Sequence, residues 1–222
     1  MQRLEVQRTD DGSATLFVPA LDEHYHSGKG AYTEALHIYR DCAYLHAAES
    51  TNMRPLRLLE IGFGTGLNAV VTAMAATAER PVHYITLEKY PVDSSLIASL
   101  DYGSIVDAEL LTAIHAAPWD APTTITPHFT LEKRCCDLLS TPLPDAIDVV
   151  YFDAFAPEKQ PEMWSAGVFA RIYQAMRPGG VLTTYCAKGA IRRMLQTIGF
   201  SVERLAGPVG GKREILRATK EG

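Results

Sequence analysis

The sequence predicts an α/β protein with a mostly parallel, doubly wound sheet of the Rossmann-like type. Short apolar runs alternate along the chain with segments of helical periodicity, and a glycine-rich turn follows one of the most apolar runs. In addition, an acidic residue directly follows several of these runs. Ligands of such sheets bind at the carboxyl ends of the strands, so these acids are expected to gather at one site.

The predicted elements form a seven-stranded sheet preceded by a small N-terminal extension. Residues 1–50 are expected to form a β-hairpin and a helix that pack on the main domain, residues 51–222. Apolar runs and periodicity place strands at 56–61, 82–87, 128–134, 147–152 and 181–186, and helices at 67–76, 91–100, 106–117, 161–176 and 188–198. The Pro- and Thr-rich segment 118–127 is expected to be a linker. Two final strands, 202–205 and 213–218, have no helix between them and predict an antiparallel edge.

Composition favours a single enzyme-sized domain without a membrane segment or metal site. The chain has 222 residues, of which 47% are hydrophobic and 21% charged, so a sizeable core is expected and disorder is not. No apolar run is long enough to cross a bilayer, and the N-terminus lacks the pattern of a signal peptide. The four cysteines and seven histidines have no metal-ligand spacing. These features predict a cytoplasmic protein, and the net charge of −5 argues against nonspecific coating of nucleic acid.

The glycine-rich turn points to a cationic ligand. The turn reads Glu60-x-Gly62-x-Gly64-x-Gly66, whereas a dinucleotide site requires G-x-G-x-x-G. An acid before the first glycine repels a pyrophosphate and suits the ammonium of an amino-acid head group. Glycines let a ligand lie against the main chain, and the helix behind them starts at the same place. The spacing resembles motif I of the class I S-adenosylmethionine-dependent methyltransferases.

Two acids at the ends of the next strands fit the rest of such a cofactor. Glu88 follows the second strand about 20 residues beyond Gly66, the spacing at which an acid accepts ribose hydroxyls. The alternative is a solvated acid beside Lys89. Asp137 follows the third strand, where methyltransferases often place an acid that receives the adenine amino group. Its alternative is a cap for the residues that follow it.

Asp153 is the candidate catalytic residue. It leaves a strongly apolar strand and enters the segment Ala154-Phe155-Ala156-Pro157. Methyl transfer mainly requires that two partners be positioned, but an alkyl amine must also be neutral. A lysine-like amine has a pKa near 10.4, and neutralising it at pH 7 costs roughly 4–5 kcal/mol. Asp153 is expected to orient that amine and take its proton, with Phe155 as an apolar wall. The alternative is a buried acid that caps helix 161–176.

Five segments together resemble the methyltransferase domain of the bacterial MnmC family. They are residues 22–34, 60–68, 152–164, 185–193 and 207–214, and they include the runs GFGTGLN and FDAFAPEKQPEMW. The resemblance implies methylation of the amine of 5-aminomethyl-(2-thio)uridine at the wobble position of tRNA. Many members of the family carry a second, FAD-dependent oxidase domain. This chain has one glycine-rich motif, so we expect a stand-alone methyltransferase without FAD, and a separate enzyme that supplies the aminomethyl intermediate.

The resemblance also implies site residues. S-adenosyl-L-methionine is expected to bind, and S-adenosylhomocysteine to leave, at Glu60, Gly62, Phe63, Gly64, Gly66, Leu67, Asn68, Glu88, Lys89, Asp137 and Asp153. The substrate is expected to contact Tyr25, Tyr32, Phe155, Lys159, Lys188 and Lys212. Tyr25, His26 and Tyr32 either close over the cofactor or the base, since aromatic faces stack on bases, or pack the N-terminal arm on the sheet. The chain departs from the family at Gln160-Pro161, where Asn-Pro is common, which leaves the geometry of that loop open.

Two other functions compete with this one. A transferase acting on a small free amine or polyamine is favoured by the acidity of the chain, because acidic walls suit cationic substrates. A non-catalytic cofactor-binding module is disfavoured by the acid at position 153. Salt-sensitive binding to tRNA separates the first function from the other two, because phosphate contacts weaken as salt rises.

Overall fold

An eight-stranded mixed sheet forms the centre of the molecule and carries helices on both faces. The computed structural model describes residues 3–49 and 54–222. The strands in the main sheet lie in the order β10-β11-β9-β8-β4-β5-β7-β6. They are β4 (Leu56–Ile61), β5 (Val82–Glu88), β6 (Pro122–Thr126), β7 (Phe129–Cys135), β8 (Ile147–Phe152), β9 (Met176–Thr184), β10 (Phe200–Ala206) and β11 (Glu214–Lys220).

Five neighbouring strands of the sheet are parallel, and the antiparallel strands lie towards its edges. β4 pairs in parallel with β5 and β8, which in turn pair in parallel with β7 and β9. β11 is antiparallel to both β9 and β10. The predicted fold class is therefore confirmed, together with the antiparallel edge that the last two strands form.

The sheet has one strand more than predicted. The linker 118–127 contains β6, which pairs antiparallel with β7 between Pro122 and Thr126. Prolines suggested irregular structure here, but Pro122 begins a strand at the edge of the sheet, where a missing N–H group is tolerated. β-branched residues then occupy most of the strand.

The helices occupy most of the predicted segments, with shifted ends. They are α3 (Leu67–Ala75), α4 (Ser94–Ala98), α5 (Ala108–Ala116), α6 (Ala166–Ala175) and α7 (Gly189–Ile198). The predicted helix 161–176 is divided: Pro161–Trp164 is a 3-10 turn, and α6 starts only after Ser165. The Ser165 hydroxyl accepts a hydrogen bond from Val168 N at 3.4 Å, so it caps α6. Asp93 caps α4 in the same way.

The core consists of two apolar layers, one on each face of the sheet. β8 is buried at every position, and β4 at all but one. Such strands are buried on both faces, which explains why they read as continuous apolar runs rather than as alternating patterns. One layer includes Leu58, Tyr84 and Tyr151, and the other includes Leu59, Ile85 and Val150.

The N-terminal extension packs on the first of these layers. It consists of a three-stranded sheet, β1 (Glu5–Arg8), β2 (Ala14–Val18) and β3 (Glu23–His24), and of a helix. That helix begins as α1 (Ala31–Glu34), continues with π-helical hydrogen bonding over Ala35–Leu45 and ends as α2 (His46–Glu49). It contacts α3, β8 and β9. The predicted hairpin and helix are therefore present, and the predicted boundary after residue 50 lies outside the described residues.

Asp11 joins the hairpin to the helix. Its carboxylate accepts hydrogen bonds from the backbone and side chain of both Ser13 and Thr33, at 2.5–3.0 Å.

Among residues 3–49 and 54–222, no helix combines the length and the apolarity needed to cross a bilayer.

Candidate active site

The turn between β4 and α3 adopts a backbone conformation that requires glycine. Gly62, Gly64 and Gly66 have φ values of 89°, 52° and 74°. A Cβ atom on Gly62 would lie 3.0 Å from the carbonyl oxygen of Asp153, and one on Gly64 would lie 2.9 Å from the ring of Tyr25. Other side chains at these positions are therefore both strained and obstructed. The backbone of this turn therefore forms part of the wall of a cavity.

A first cavity of about 280 Å³ lies over this turn, at the carboxyl ends of β4, β5, β7 and β8. Most of the residues predicted to bind the cofactor line it: Gly62, Phe63, Gly64, Leu67, Asn68, Glu88, Lys89, Asp137 and Asp153. Its other walls include the apolar side chains of Leu21, Ile61, Leu87, Leu138 and Met163. Gly66 and Glu60 do not line it. Gly66 instead serves as the N-cap of α3.

Glu88 ties the glycine turn to the end of β5. One carboxylate oxygen accepts a hydrogen bond from Gly64 N at 3.1 Å, and the other accepts from Tyr90 N at 2.8 Å. The carboxylate is thus held at the cavity wall by two backbone groups.

The position of Asp137 is compatible with both of the roles considered for it. It lines the cavity, and it also accepts a hydrogen bond from Leu139 N at 2.9 Å, as a cap does. Lys89 Nζ lies 2.9 Å from the same carboxylate, and this contact lowers the pKa of Asp137.

Glu60 lies behind the cavity wall rather than at its surface. Its side chain is fully buried, and neither carboxylate oxygen has a hydrogen-bond partner within the described protein. Burial raises the pKa of Glu60 to about 8. Its expected contact with the cofactor head group is therefore not supported by this placement.

Asp153 lies at the junction of two cavities. Its Oδ1 accepts a hydrogen bond from the hydroxyl of Tyr39 at 2.6 Å, and its Oδ2 accepts from Asn68 Nδ2 at 2.8 Å. Burial and the negative charge of Glu34 raise the pKa of Asp153 to about 7, against the opposing effect of the two hydrogen bonds and of Lys212. A carboxylate with a pKa near neutrality is suited to accept a proton at physiological pH.

A second cavity, of about 240 Å³, adjoins the first. The two cavities share the residues Tyr25, His26, Asp153, Ala154 and Phe155. The rings of Tyr25 and Phe155 meet edge to face, with centroids 5.1 Å apart. Asp153 is therefore accessible to ligands on both sides.

Acidic side chains are prominent in the lining of the second cavity. Glu23, Glu34 and Asp153 line it together with one lysine, Lys212. Glu34 is buried, and it accepts hydrogen bonds from Ser27 N at 2.8 Å and from Lys212 Nζ at 3.1 Å. This lining suits a ligand that brings a positive charge to Asp153.

Three of the six predicted substrate residues line this second cavity, and three do not. Tyr25, Phe155 and Lys212 line it, and Lys212 Nζ also lies 3.5 Å from the ring centroid of Tyr185. The other three are elsewhere in the fold: Tyr32 packs on the core, Lys159 lies 3.6 Å from Asp22, and Lys188 pairs with Glu158. The family resemblance implied a common site for these three residues, but their side chains contact other parts of the fold.

Sequence reasoning missed several residues of the site. Tyr39, which contacts the catalytic candidate, and Glu34, which raises its pKa, belong to the N-terminal helix. The apolar spacing around Tyr39 indicated only packing, and Glu34 was part of a family-like segment but received no role. His26, which the sequence had placed near the ligand, lines both cavities, and burial lowers its pKa to about 4, so it is neutral at pH 7.

Comparisons with known proteins agree with this geometry. Residues 125–221 match a family described as S-adenosyl-L-methionine-dependent methyltransferase. The chain is 30% identical over 218 residues to the tRNA 5-methylaminomethyl-2-thiouridine biosynthesis bifunctional protein MnmC of Cupriavidus necator. That alignment covers 91% of this chain and 32% of the relative, so the chain spans about a third of the length of the curated relatives it matches.

Two solved structures share the fold. MnmC2 from Aquifex aeolicus has a TM-score of 0.75 at 24% identity, covering 100% of this chain and 72% of that one. Spermidine synthase from Thermotoga maritima has a TM-score of 0.64 at 14% identity, covering 99% of this chain and 70% of that one. At these identities the likeness shows the fold alone.

The fold, the glycine turn and the matched family define a class I S-adenosyl-L-methionine-dependent methyltransferase. The chain is similar to MnmC over nine tenths of its own length, and it therefore resembles one part of that bifunctional protein.

The residues of the first cavity fit S-adenosyl-L-methionine. The glycine turn leaves open backbone, and the carboxylates of Glu88 and Asp137 offer acceptors for hydroxyl and amino groups at one end. At the other end, Asn68 Oδ1 is buried without a partner. Apolar side chains lie between the polar ends, as a purine and a thioether chain require.

Proposed function

We propose that this chain transfers the methyl group of S-adenosyl-L-methionine to the exocyclic amine of 5-aminomethyl-(2-thio)uridine at the wobble position of tRNA. The product is 5-methylaminomethyl-(2-thio)uridine. The main observation behind the proposal is the position of Asp153, on the wall shared by a glycine-lined cavity and an acidic one. The MnmC relative is named for the biosynthesis of 5-methylaminomethyl-2-thiouridine in tRNA, which supports the same substrate.

The cofactor is held, in this proposal, by the residues of the first cavity. Gly62 and Gly64 present the backbone to the methionine moiety, and Asn68 lies beside them. Glu88 receives the ribose hydroxyls, and Asp137 receives the adenine amino group. When bound there, S-adenosyl-L-methionine supplies an electrophilic methyl group on a sulfonium.

Asp153 acts as the base. The substrate arrives as an ammonium ion, which the acidic wall of Glu23 and Glu34 attracts into the second cavity. One N–H proton passes to a carboxylate oxygen of Asp153, and the nitrogen lone pair becomes free. Tyr39 and Asn68 donate hydrogen bonds to that carboxylate and hold it in place. Tyr25 and Phe155 supply aromatic faces against which a base can stack.

The tRNA is expected to bind along the mouth of the second cavity. Lys159, Lys188 and Lys212 were predicted to contact the substrate, but each of them pairs with an acidic side chain. Within the described residues, Arg192, Arg193 and Arg213 have no ion pair, and they are at least partly exposed. These arginines are the better candidates for phosphate contacts. The reaction is proposed to take place in the cytoplasm, after a separate enzyme has produced the aminomethyl group.

A small-amine or polyamine transferase is the second candidate. The acidic lining of the second cavity favours it, because three carboxylates suit a polycation. The spermidine synthase of Thermotoga maritima shares the fold, although at 14% identity this supports no common substrate.

Methyl transfer to modified tRNA separates the two candidates. Labelled S-adenosyl-L-methionine is incubated with bulk tRNA that lacks the terminal methyl group, and the nucleosides are then analysed by mass spectrometry. We expect one methyl group to be gained on 5-aminomethyl-(2-thio)uridine, and the Asp153→Asn variant provides the matched control. Transfer to spermidine or putrescine, with none to tRNA, would establish the second candidate instead.

A further inference from the structure

One arginine of α6 holds the turn of residues 138–141, which follows Asp137. The guanidinium of Arg171 donates through one nitrogen to two carbonyl oxygens, that of Leu138 at 2.8 Å and that of Leu139 at 3.1 Å. Its other terminal nitrogen donates to the carbonyl oxygen of Thr141. Arg171 lies 30 to 33 residues beyond these partners in the chain, so the contact depends on the tertiary structure.

The 138–141 turn needs donors from outside itself. Leu139 N donates to the carboxylate of Asp137 at 2.9 Å. Ser140 N and Thr141 N donate to its carbonyl oxygen, at 3.2 and 2.9 Å. This is a single helical turn that does not continue, so its carbonyl groups lack the amide donors that a longer helix would bring. An arginine side chain can take the place of those donors, and its planar guanidinium reaches several carbonyls at once.

The same turn forms part of the wall of the first cavity. Asp137, Leu138 and Leu139 all line that cavity. Leu138 is buried in the apolar layer that contains α6, whereas Leu139 is exposed. Packing therefore anchors one side of the turn, and hydrogen bonds must fix the other.

α6 is a firm support for this turn. Its residues Phe169 and Ile172 are fully buried. The 3-10 turn that leads into α6 contains Met163, which lines the same cavity. α6 therefore supports two parts of the cavity wall, Met163 through the chain and the 138–141 turn through Arg171.

We propose that Arg171 is a positioning residue for the adenosine end of the cofactor, because it holds the 138–141 turn, and with it Asp137, at the cavity wall. Arg171 does not line the cavity itself, so it acts on the cofactor only through this turn. The inference rests on the proposed placement of S-adenosyl-L-methionine in the first cavity. It does not depend on which molecule accepts the methyl group.

Ligand binding to Arg171→Met tests this role. The substitution removes the donors and keeps most of the aliphatic stem. We expect it to weaken the binding of S-adenosylhomocysteine about tenfold, or about 1.4 kcal/mol, in calorimetry. 5′-Methylthioadenosine, which lacks the amino-acid end, should be weakened by the same factor, because the lost support lies at the adenosine end.

Arg177→Met is the matched control. Arg177 Nε also donates to a backbone carbonyl, that of Ala146 at 3.1 Å, but Ala146 precedes β8 and so lies at the opposite edge of the sheet. This variant should bind both ligands as the unsubstituted protein does.

Steady-state methyl transfer separates positioning from general loosening of the fold. In Arg171→Met the KM for S-adenosyl-L-methionine should rise about tenfold, with kcat at saturating cofactor unchanged. The pH at which kcat rises should also be unchanged, because Tyr39 and Asn68 hold Asp153 without this turn.

Hydrogen exchange of the ligand-free protein gives a test without turnover, and it uses Arg171→Lys in case Arg171→Met does not fold. The lysine keeps the charge but lacks the planar fork of donors. The amides of the 138–141 turn should therefore exchange faster than in the unsubstituted protein. Those of the glycine turn, residues 62–66, should exchange at the same rate.

Several results would overturn the inference. They are an affinity of folded Arg171→Met within about threefold of the unsubstituted protein, under 1 kcal/mol, an equal loss in Arg177→Met, a fall in kcat without a change in KM, and unchanged exchange of the 138–141 turn. Glu88→Ala shows which premise fails. If it weakens binding and Arg171→Met does not, only the role of Arg171 is wrong, whereas if neither weakens binding, the proposed cofactor site is wrong as well.

Discussion

Replacing Asp153 with asparagine removes the proposed base while it preserves the shape of the side chain. Asp153 accepts one hydrogen bond from Tyr39 and one from Asn68, and it borders both cavities. An asparagine at this position still accepts one of these bonds, but it takes up no proton. The variant is therefore expected to bind S-adenosyl-L-methionine nearly as well and to lose turnover.

The size of the loss follows from the pKa of Asp153. Burial raises it from the ordinary value of 3.8 to about 7. This rise of about three pKa units makes proton transfer from an amine of pKa near 10.4 to Asp153 less unfavourable by about 4 kcal/mol. Removing a general base typically costs a factor of about 10² to 10⁴ in rate, or about 3–5 kcal/mol, which is a similar amount.

Single-turnover methyl transfer to tRNA across a range of pH measures this effect. The rate of the unsubstituted protein should rise with pH through about 7, where Asp153 loses its proton, and should level off above about 8. The rate for Asp153→Asn should be about 10² to 10⁴ times lower, and it should not rise with pH through about 7. A rate within about threefold, under 1 kcal/mol, of the unsubstituted protein would refute the role of Asp153 as base.

Unfolding experiments test whether a loss of activity in Asp153→Asn comes from misfolding. The folded-state pKa of Asp153 lies above its unfolded value, so the native state binds more protons between about pH 4 and 7. Stability from this group is present at low pH and is lost as pH rises through about 7. Asp153→Asn should therefore be at least as stable as the unsubstituted protein at pH 8, as measured by denaturant unfolding.

Three further predictions follow from the contacts of the site and of the extension. In Tyr39→Phe, the rise of kcat with pH should occur roughly one pH unit higher, because Asp153 loses a hydrogen bond of 2.6 Å. The rate at high pH should be unchanged, and the pH profile of kcat measures both. Glu88→Ala should weaken S-adenosyl-L-methionine binding by about ten- to a hundredfold, or about 1.4–3 kcal/mol, in calorimetry, because two acceptors for the ribose are lost. Asp11→Asn should lower stability at pH 7 by about 1 kcal/mol once solvent screening is included. Because the pKa of Asp11 is lowered from 3.8 to about 2, its contribution is present above about pH 4 and disappears as pH falls through 2, which thermal unfolding at several pH values detects.

Matched controls accompany these variants. Tyr44→Phe removes another buried hydroxyl of the same helix, one that donates to the carbonyl oxygen of Arg80 and not to Asp153. This variant should leave the pH at which kcat rises unchanged. If kcat rises at the same pH in Tyr39→Phe as in the unsubstituted protein, Tyr39 does not affect Asp153 as proposed. For Glu88→Ala, unchanged affinity would remove the ribose role. For Asp11→Asn, a stability difference that persists at pH 2 would show that the carboxylate charge is not its source.

The sequence predicted the class of fold, every strand of the main sheet except β6, and most of the first cavity. Local patterns were sufficient there, because apolar runs fix buried strands and three glycines with positive φ fix the turn. The acids Glu88, Asp137 and Asp153 reach the cavity because each lies at the carboxyl end of a parallel strand, and such strand ends share one edge of the sheet.

Only the tertiary structure decided the electrostatics of the site. Tyr39 lies more than a hundred residues from Asp153 in the chain, yet it donates to its carboxylate. Glu34 raises the pKa of that carboxylate from the same distant helix. The tertiary structure also placed Glu60 behind the cavity wall and brought Lys188 beside Glu158. A pKa depends on every charge and on the solvent around a group, and neither is encoded in the spacing of nearby residues.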